Sequence, residues 1–229
     1  MTRNNMNLEQ IKAAVRSHEL EVILPDHPRF TAVMIPLVEM DGEWHVLFQV
    51  RSDTVDQPGE VSFPGGHVEP GETARQAAVR ETCEELRVSP EQVELLAPMH
   101  RMADRGRLVI DSFLGVVHDY QGSFLEEEVA RIFTVPLNRL MEREPDIYEI
   151  PMKLSLGDDF PWELIPGGKS YPFIRIPRRF YFYHDHEEEI IWGITGELLY
   201  QAIKLLKEST EYDEKTPEST AVKTATITV

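Results

Sequence analysis

The stretch GGHVEPGETARQAAVRETCEEL, Gly65 to Leu86, constrains this chain more than any other. Paired glycines permit a sharp turn and close backbone approach. Pro70-Gly71 marks a second turn. Thr73 to Leu86 then holds good helix formers with no interior Gly or Pro, which predicts a helix. At about 100° per residue, Glu81, Glu84 and Glu85 share one arc, and Ala78, Val79, Thr82, Cys83 and Leu86 cover the other side. Like charges at these spacings cost a few tenths of a kcal/mol per pair. A solvated acidic face accounts for the glutamates. So does a divalent-metal site, because hard cations such as Mg²⁺ take carboxylate oxygens and keep positions for water and substrate phosphates. Arg80 is placed to orient one carboxylate through a forked hydrogen bond.

The flanks predict an α/β domain with a mixed sheet. Thr31–Met40 and Glu43–Arg51 read as strands around Asp41-Gly42, a strong hairpin signal. Glu60–Phe63 is a short strand leading into the glycines. Val93–Met102 and Arg107–Val117 follow as strands, and Val129–Glu142 as a strand and then a helix begun by Pro136. Arg178–Gly193 reads as a hairpin and Ile194–Glu208 as an amphipathic closing helix. The expected organisation is a helical extension over 1–20, the main domain over 21–208, and a polar, disordered tail over 209–229.

With 229 residues and one cysteine, a core without disulfides and a cytoplasmic location are expected. The N-terminal MTRNNMNLEQIKAAV lacks the apolar core of a signal peptide, and no apolar run is long enough to span a bilayer. A net charge of −17 repels nucleic acid, and it repels anionic metabolites unless cations or local Arg and Lys groups offset it.

Gly66 is followed after five residues by Glu72, after seven more by Arg80-Glu81, and two residues later by Glu84-Glu85. This order resembles the Nudix box, with Val88 matching its final aliphatic position. Thr82 stands where the box has an aliphatic residue, and Arg87 where it has glycine. The resemblance implies an α/β/α sandwich with the box as loop-helix-loop. It implies a Mg²⁺- or Mn²⁺-dependent hydrolase of nucleoside diphosphates linked to another moiety. It makes Glu81, Glu84 and Glu85 the metal ligands, has Arg80 orient Glu81, and has Glu72 hold the loop or a metal-bound water. By the same resemblance a homodimer is expected.

Phe48 to Gly66 resembles the segment before the box in coenzyme A pyrophosphatases, through Arg51-Ser52, Gly59 and Phe63-Pro64-Gly65-Gly66. Its spacer is one residue short, and Asp56 stands near an expected arginine. Coenzyme A or an acyl derivative is thus the first substrate expectation. ADP-ribose or a dinucleotide is the alternative, and a non-catalytic ligand sensor is a third reading. Arg51, Lys169 and the Gly65-Gly66 backbone are the favoured substrate contacts. Arg101, Arg105, Arg107, Arg175, Arg178 and Arg179 are further anion candidates. Glu128 is favoured over Glu126 and Glu127 as a catalytic carboxylate from outside the box. His184–Glu189 reads as a solvated turn, and Cys83 as a packed residue rather than a nucleophile.

Overall fold

β1 (Arg29–Met40) and β2 (Glu43–Arg51) are joined by Asp41-Gly42, with φ of 52° and 82°. A two-residue hairpin turn of the primed type requires this backbone. In this computed structural model the described residues are 8, 9, 12, 16, 24, 26–103, 107–151, 156–157, 159–173, 177–184 and 189–215, excepting the side chains of 210–215. The two strands stay paired from Met40–Glu43 to Leu37–Val46 and then part. A wedge fills the opening: β3 (Val61–Ser62) pairs with β2, and β4 (Gly65–His67) pairs with β1. Between them, the Pro64 carbonyl accepts from the Met34 N–H at 2.9 Å.

β5 (Val93–Ala103), β6 (Leu108–Val117) and β7 (Val129–Pro136) complete a seven-stranded sheet of order β3-β2-β1-β6-β5, with β4 on β1 and β7 on β2. The β1–β6 ladder is parallel and the others are antiparallel, so the sheet is mixed. Strand alternation sends apolar side chains to both faces. On one face, Ala32, Met34, Leu95 and Phe113 meet Ala77 and Ala78 of α1 (Ala74–Leu86). Val38, Leu47 and Val117 cluster with Leu86 at the end of the same helix. On the other face, Ile35, Phe48, Leu114 and Val135 pack with Leu198, Leu199, Ala202 and Ile203 of α3 (Gly193–Lys215). The short α2 (Leu137–Glu142) follows Pro136. The helix–sheet–helix sandwich is the expected fold class. Among the described residues no helix is long and apolar enough to cross a membrane.

Two segments differ from expectation. Among the described residues, the predicted hairpin over Arg178–Gly193 is represented by one bridge, Tyr183–Ile191. β9 (Pro177–Phe182) instead pairs with β8 (Asp146–Pro151), a strand whose residues are all exposed and which has no buried face to reveal it in the sequence. α3 runs to Lys215, so the polar tail begins later than Ser209. Residues 216–229 lie outside the described residues, as does most of the predicted N-terminal helix, of which Leu8, Glu9 and Lys12 are helical.

α1 starts with a capping box: the Thr73 hydroxyl accepts from Gln76 N–H, and Gln76 Oε1 accepts from Thr73 N–H. Such reciprocal bonds satisfy donors the helix cannot reach. It ends at Arg87, in the left-handed conformation with φ 53° and ψ 44°. A side chain there is strained where glycine is not. Arg87 faces Glu127 only at 3.9 Å, with both side chains exposed, a contact that adds little. Arg87→Gly is therefore expected to raise stability by about 1 kcal/mol in urea or guanidinium unfolding. A loss of stability would contradict this account of the helix end.

Candidate active site

The wedge delivers the Gly65–His67 backbone to the helix. A Cβ built on Gly66 would lie 2.2 Å from Glu81 Oε1 and 2.4 Å from its carboxyl carbon. No side chain fits there while Glu81 keeps its place. One residue earlier, the Gly65 N–H donates to Glu85 Oε2 at 3.0 Å, and Gln49 Nε2 donates to the same oxygen at 2.9 Å. Glu85 is only 4% exposed and sits with the packing residues of α1. This corrects the single acidic arc expected from helical geometry: Glu85 turns inward because two donors wait for it. Cys83, expected to pack, is only half-buried and borders surface hollows beside Glu84. Thr82 is fully buried where an aliphatic residue is usual, and its hydroxyl is satisfied by the Ala78 carbonyl at 2.7 Å.

Arg80 is the hub of the loop. Nε and Nη2 grip Glu72 at 3.0 and 3.1 Å, and Nη2 also donates to the His67 carbonyl at 3.0 Å. Nη1 donates to Glu81 Oε1 at 2.8 Å and to Glu84 Oε2 at 3.1 Å. Glu72 also accepts from the Glu69 N–H at 3.1 Å, which closes the turn before the helix. Arg80 holds the Glu72 carboxyl below the usual range, and Glu72 in turn drives the guanidinium pKa further up.

Burial pushes the Glu85 carboxyl up to about 7, against the pull of Gln49 and Gly65 and with help from the charges of Glu81 and Glu128. Burial also raises Glu81, opposed by Arg80 and assisted by Glu84 and Glu128. The charge of Glu128 thus bears on both Glu81 and Glu85, and that of Glu84 on Glu81. Glu84 is the open member of the set, 56% exposed and bound to Arg80. A divalent cation fits the chemistry of this group, because it would offset desolvated carboxylates in one place. Among the described residues, no three His, Cys, Asp or Glu side chains are closed around one point; Mg²⁺ needs only one or two carboxylates, with water and substrate phosphate as its other ligands.

The remaining expected contacts are scattered. Arg51 Nε donates to the Asp56 carbonyl at 2.6 Å and so braces the β2–β3 loop. Lys169 lies exposed on a 3-10 turn, Gly168–Ser170. Arg101 makes a two-pronged pair with Asp111 at 2.6 and 2.7 Å. Arg178 stacks over Phe180 and Arg179 pairs with Glu149. Arg107 lends its carbonyl to the Arg29 N–H. Arg105 and Arg175 lie outside the described residues. Glu189, expected in a solvated turn, is buried and paired with Arg131. Gln49 was missed by the sequence reading; its signal was a lone amide inside the otherwise apolar VLFQV.

A model of the NUDIX domain matches residues 28–153. The chain belongs to the Nudix family. Nudix hydrolase 3 of Caenorhabditis elegans is 31% identical over 208 residues, 87% of this chain and 82% of its own length. A peroxisomal coenzyme A diphosphatase of Mus musculus is 33% identical over 132 residues, 56% of this chain and 55% of that protein, so little more than half of that relative is matched. A mitochondrial coenzyme A diphosphatase of Homo sapiens is 26% identical over 189 residues, 80% of this chain and 72% of its own length. The chain is thus a Nudix pyrophosphohydrolase, and α1 with the loop before it is its Nudix box.

The environment of Glu85 has a measurable signature. A carboxyl raised from 4.5 to about 7 binds its proton more tightly folded than unfolded. Its ionisation therefore lowers stability as pH rises from the unfolded value through the folded one. With divalent ions chelated, Glu85→Gln is expected to gain roughly 1–3 kcal/mol at pH 8, with the gain shrinking toward pH 5. Thermal unfolding at the two pH values checks this. Gly66→Ala, by contrast, displaces the Glu81 carboxylate. It is expected to lower kcat by about 10-fold or more while unfolding changes by no more than about 1 kcal/mol.

Proposed function

We propose that the chain hydrolyses the pyrophosphate of coenzyme A or of an acyl derivative, giving 3′,5′-ADP and 4′-phosphopantetheine or its acyl form. The reading is carried by Arg51-Ser52, Gly59 and Phe63-Pro64-Gly65-Gly66 running directly into the carboxylate site. Similarity to two coenzyme A diphosphatases supports it.

Hydrolysis breaks one bridging P–O bond and forms a P–O bond to the oxygen of water. The proton lost by that water goes to a base, and the departing phosphate keeps the bridging oxygen. Glu128 is the base in this reading, because its charge acts on both Glu81 and Glu85 from a loop opposite the helix. Glu81, Glu84 and Glu85 would hold a Mg²⁺ or Mn²⁺ ion, which supplies charge neutralisation and polarises a phosphoryl oxygen. Arg80 fixes Glu81 by a hydrogen bond and Glu72 pins the loop. Gln49 and the Gly65 N–H fix Glu85. Arg51 and Lys169 offer cationic contacts to substrate phosphates.

One observation favours a second reading, an ADP-ribose or dinucleotide pyrophosphatase. Asp56 stands near the arginine expected in the coenzyme A segment, and its carbonyl holds Arg51. A carboxylate there repels a 3′-phosphate.

A substrate panel with Mg²⁺ and Mn²⁺, read by mass spectrometry of the products, tests the choice. Coenzyme A or an acyl form is expected to exceed ADP-ribose and dinucleotides at least tenfold in kcat/KM, about 1.4 kcal/mol. Glu85→Gln is expected to lose about 10²-fold or more in kcat. Turnover of ADP-ribose without turnover of coenzyme A would move the assignment to the second reading.

A further inference from the structure

As the chain leaves β2, Ser52 and Thr54 lie against the acidic loop Glu126–Glu128. The Ser52 N–H donates to the Glu128 carbonyl at 2.9 Å. The Ser52 hydroxyl, on a residue 6% exposed, donates to the Glu127 carbonyl at 2.7 Å. Thr54 Oγ1 donates to that same carbonyl and stands 2.8 Å from Ser52 Oγ. Both lone pairs of one peptide oxygen are thereby engaged. The other side of the loop hangs on the Nudix helix: the Leu125 N–H donates to the Glu85 carbonyl at 2.8 Å. The Leu125 carbonyl accepts from the N–H groups of Glu128 and Val129, at 3.0 and 2.8 Å. Beside this loop the β2–β7 register shifts between Val50 and Arg51, an irregularity of the kind that re-aims neighbouring side chains. The Glu127 side chain is 77% exposed. The charge from this loop that acts on Glu81 and Glu85 is that of Glu128.

We propose that Ser52 and Thr54 are positioning residues, whose hydroxyls fix the Glu127 carbonyl and so hold the Glu128 carboxylate toward Glu81 and Glu85. The proposal rests on the reading of Glu128 as general base. It gives the Arg51-Ser52 segment a task in aligning the base, whatever it also does for the substrate. Alignment matters because a displacement of about 1 Å can cost 10²-fold in rate.

The test is steady-state kinetics of Ser52→Ala, Thr54→Val and Thr54→Ser, each made in the wild-type chain and with Glu128→Gln. The substrate is the best one from the panel. In the wild-type chain, Ser52→Ala and Thr54→Val are expected to lower kcat about 10-fold or more with KM within about twofold, while Thr54→Ser keeps the activity. With Glu128→Gln present, the same changes are expected to leave kcat within about twofold, because the group they position has gone. An equal fold loss in both backgrounds, a loss confined to KM, or full activity of Thr54→Val would overturn the proposal while leaving the base assignment intact. Wild-type kcat in Glu128→Gln itself would overturn the base assignment, and this proposal with it. Thr54 is exposed, so its variants remain informative should Ser52→Ala fail to fold.

Discussion

The buried carboxylate of Glu85 ties the molecule together. It joins three parts of the fold at one oxygen: α1, the wedge between β1 and β2 through Gly65, and β2 through Gln49. A carboxylate at 4% exposure is stable only with such partners. Remove the donors and the helix has an uncompensated charge against the sheet. Keep them, and the Gly66 backbone is brought so close to Glu81 that a Cβ there would displace its carboxylate. The site geometry follows from that contact. The far side is tied to the same residue, since the backbone carbonyl of Glu85 accepts from the Leu125 N–H at the start of the acidic loop.

Arg80 complements this bond from the solvent side. Glu85 is fixed by neutral donors in the interior, whereas Glu72, Glu81 and Glu84 are gathered by one guanidinium. The two arrangements put adjacent glutamates into different environments, one deeply desolvated and one open. The loop bearing Glu128 adds a third carboxylate to the two that are desolvated.

Much of this was legible in the sequence because it depends on local spacing. Asp41-Gly42 specified its hairpin turn, the run from Thr73 specified a helix, and the order Gly66, Glu72, Arg80, Glu81 specified the loop. Arg87 stands where the box has glycine, and it takes the left-handed backbone that a glycine would take there. What could not be read depends on pairing across the chain. Helical angles alone put Glu85 with Glu81 and Glu84, and only the distant Gln49 and Gly65 explain why it turns inward. β8 has no apolar alternation and is defined by its ladder with β9, which displaced the expected local hairpin.

The five hydrogen bonds of Arg80 reach further than the loop they close. A guanidinium has five N–H donors, and all of them are committed to Glu72, Glu81, Glu84 and the His67 carbonyl. In that arrangement the most prominent cation of the box has no hydrogen left for a substrate phosphate. The chain carries a net charge of −17, so a polyanionic substrate approaches against a repulsive field. Mobile ions screen that field over a Debye length of about 8–10 Å at ordinary ionic strength. Moderate salt should therefore speed encounter with the substrate, the reverse of the behaviour of an enzyme that steers phosphates in with a basic surface.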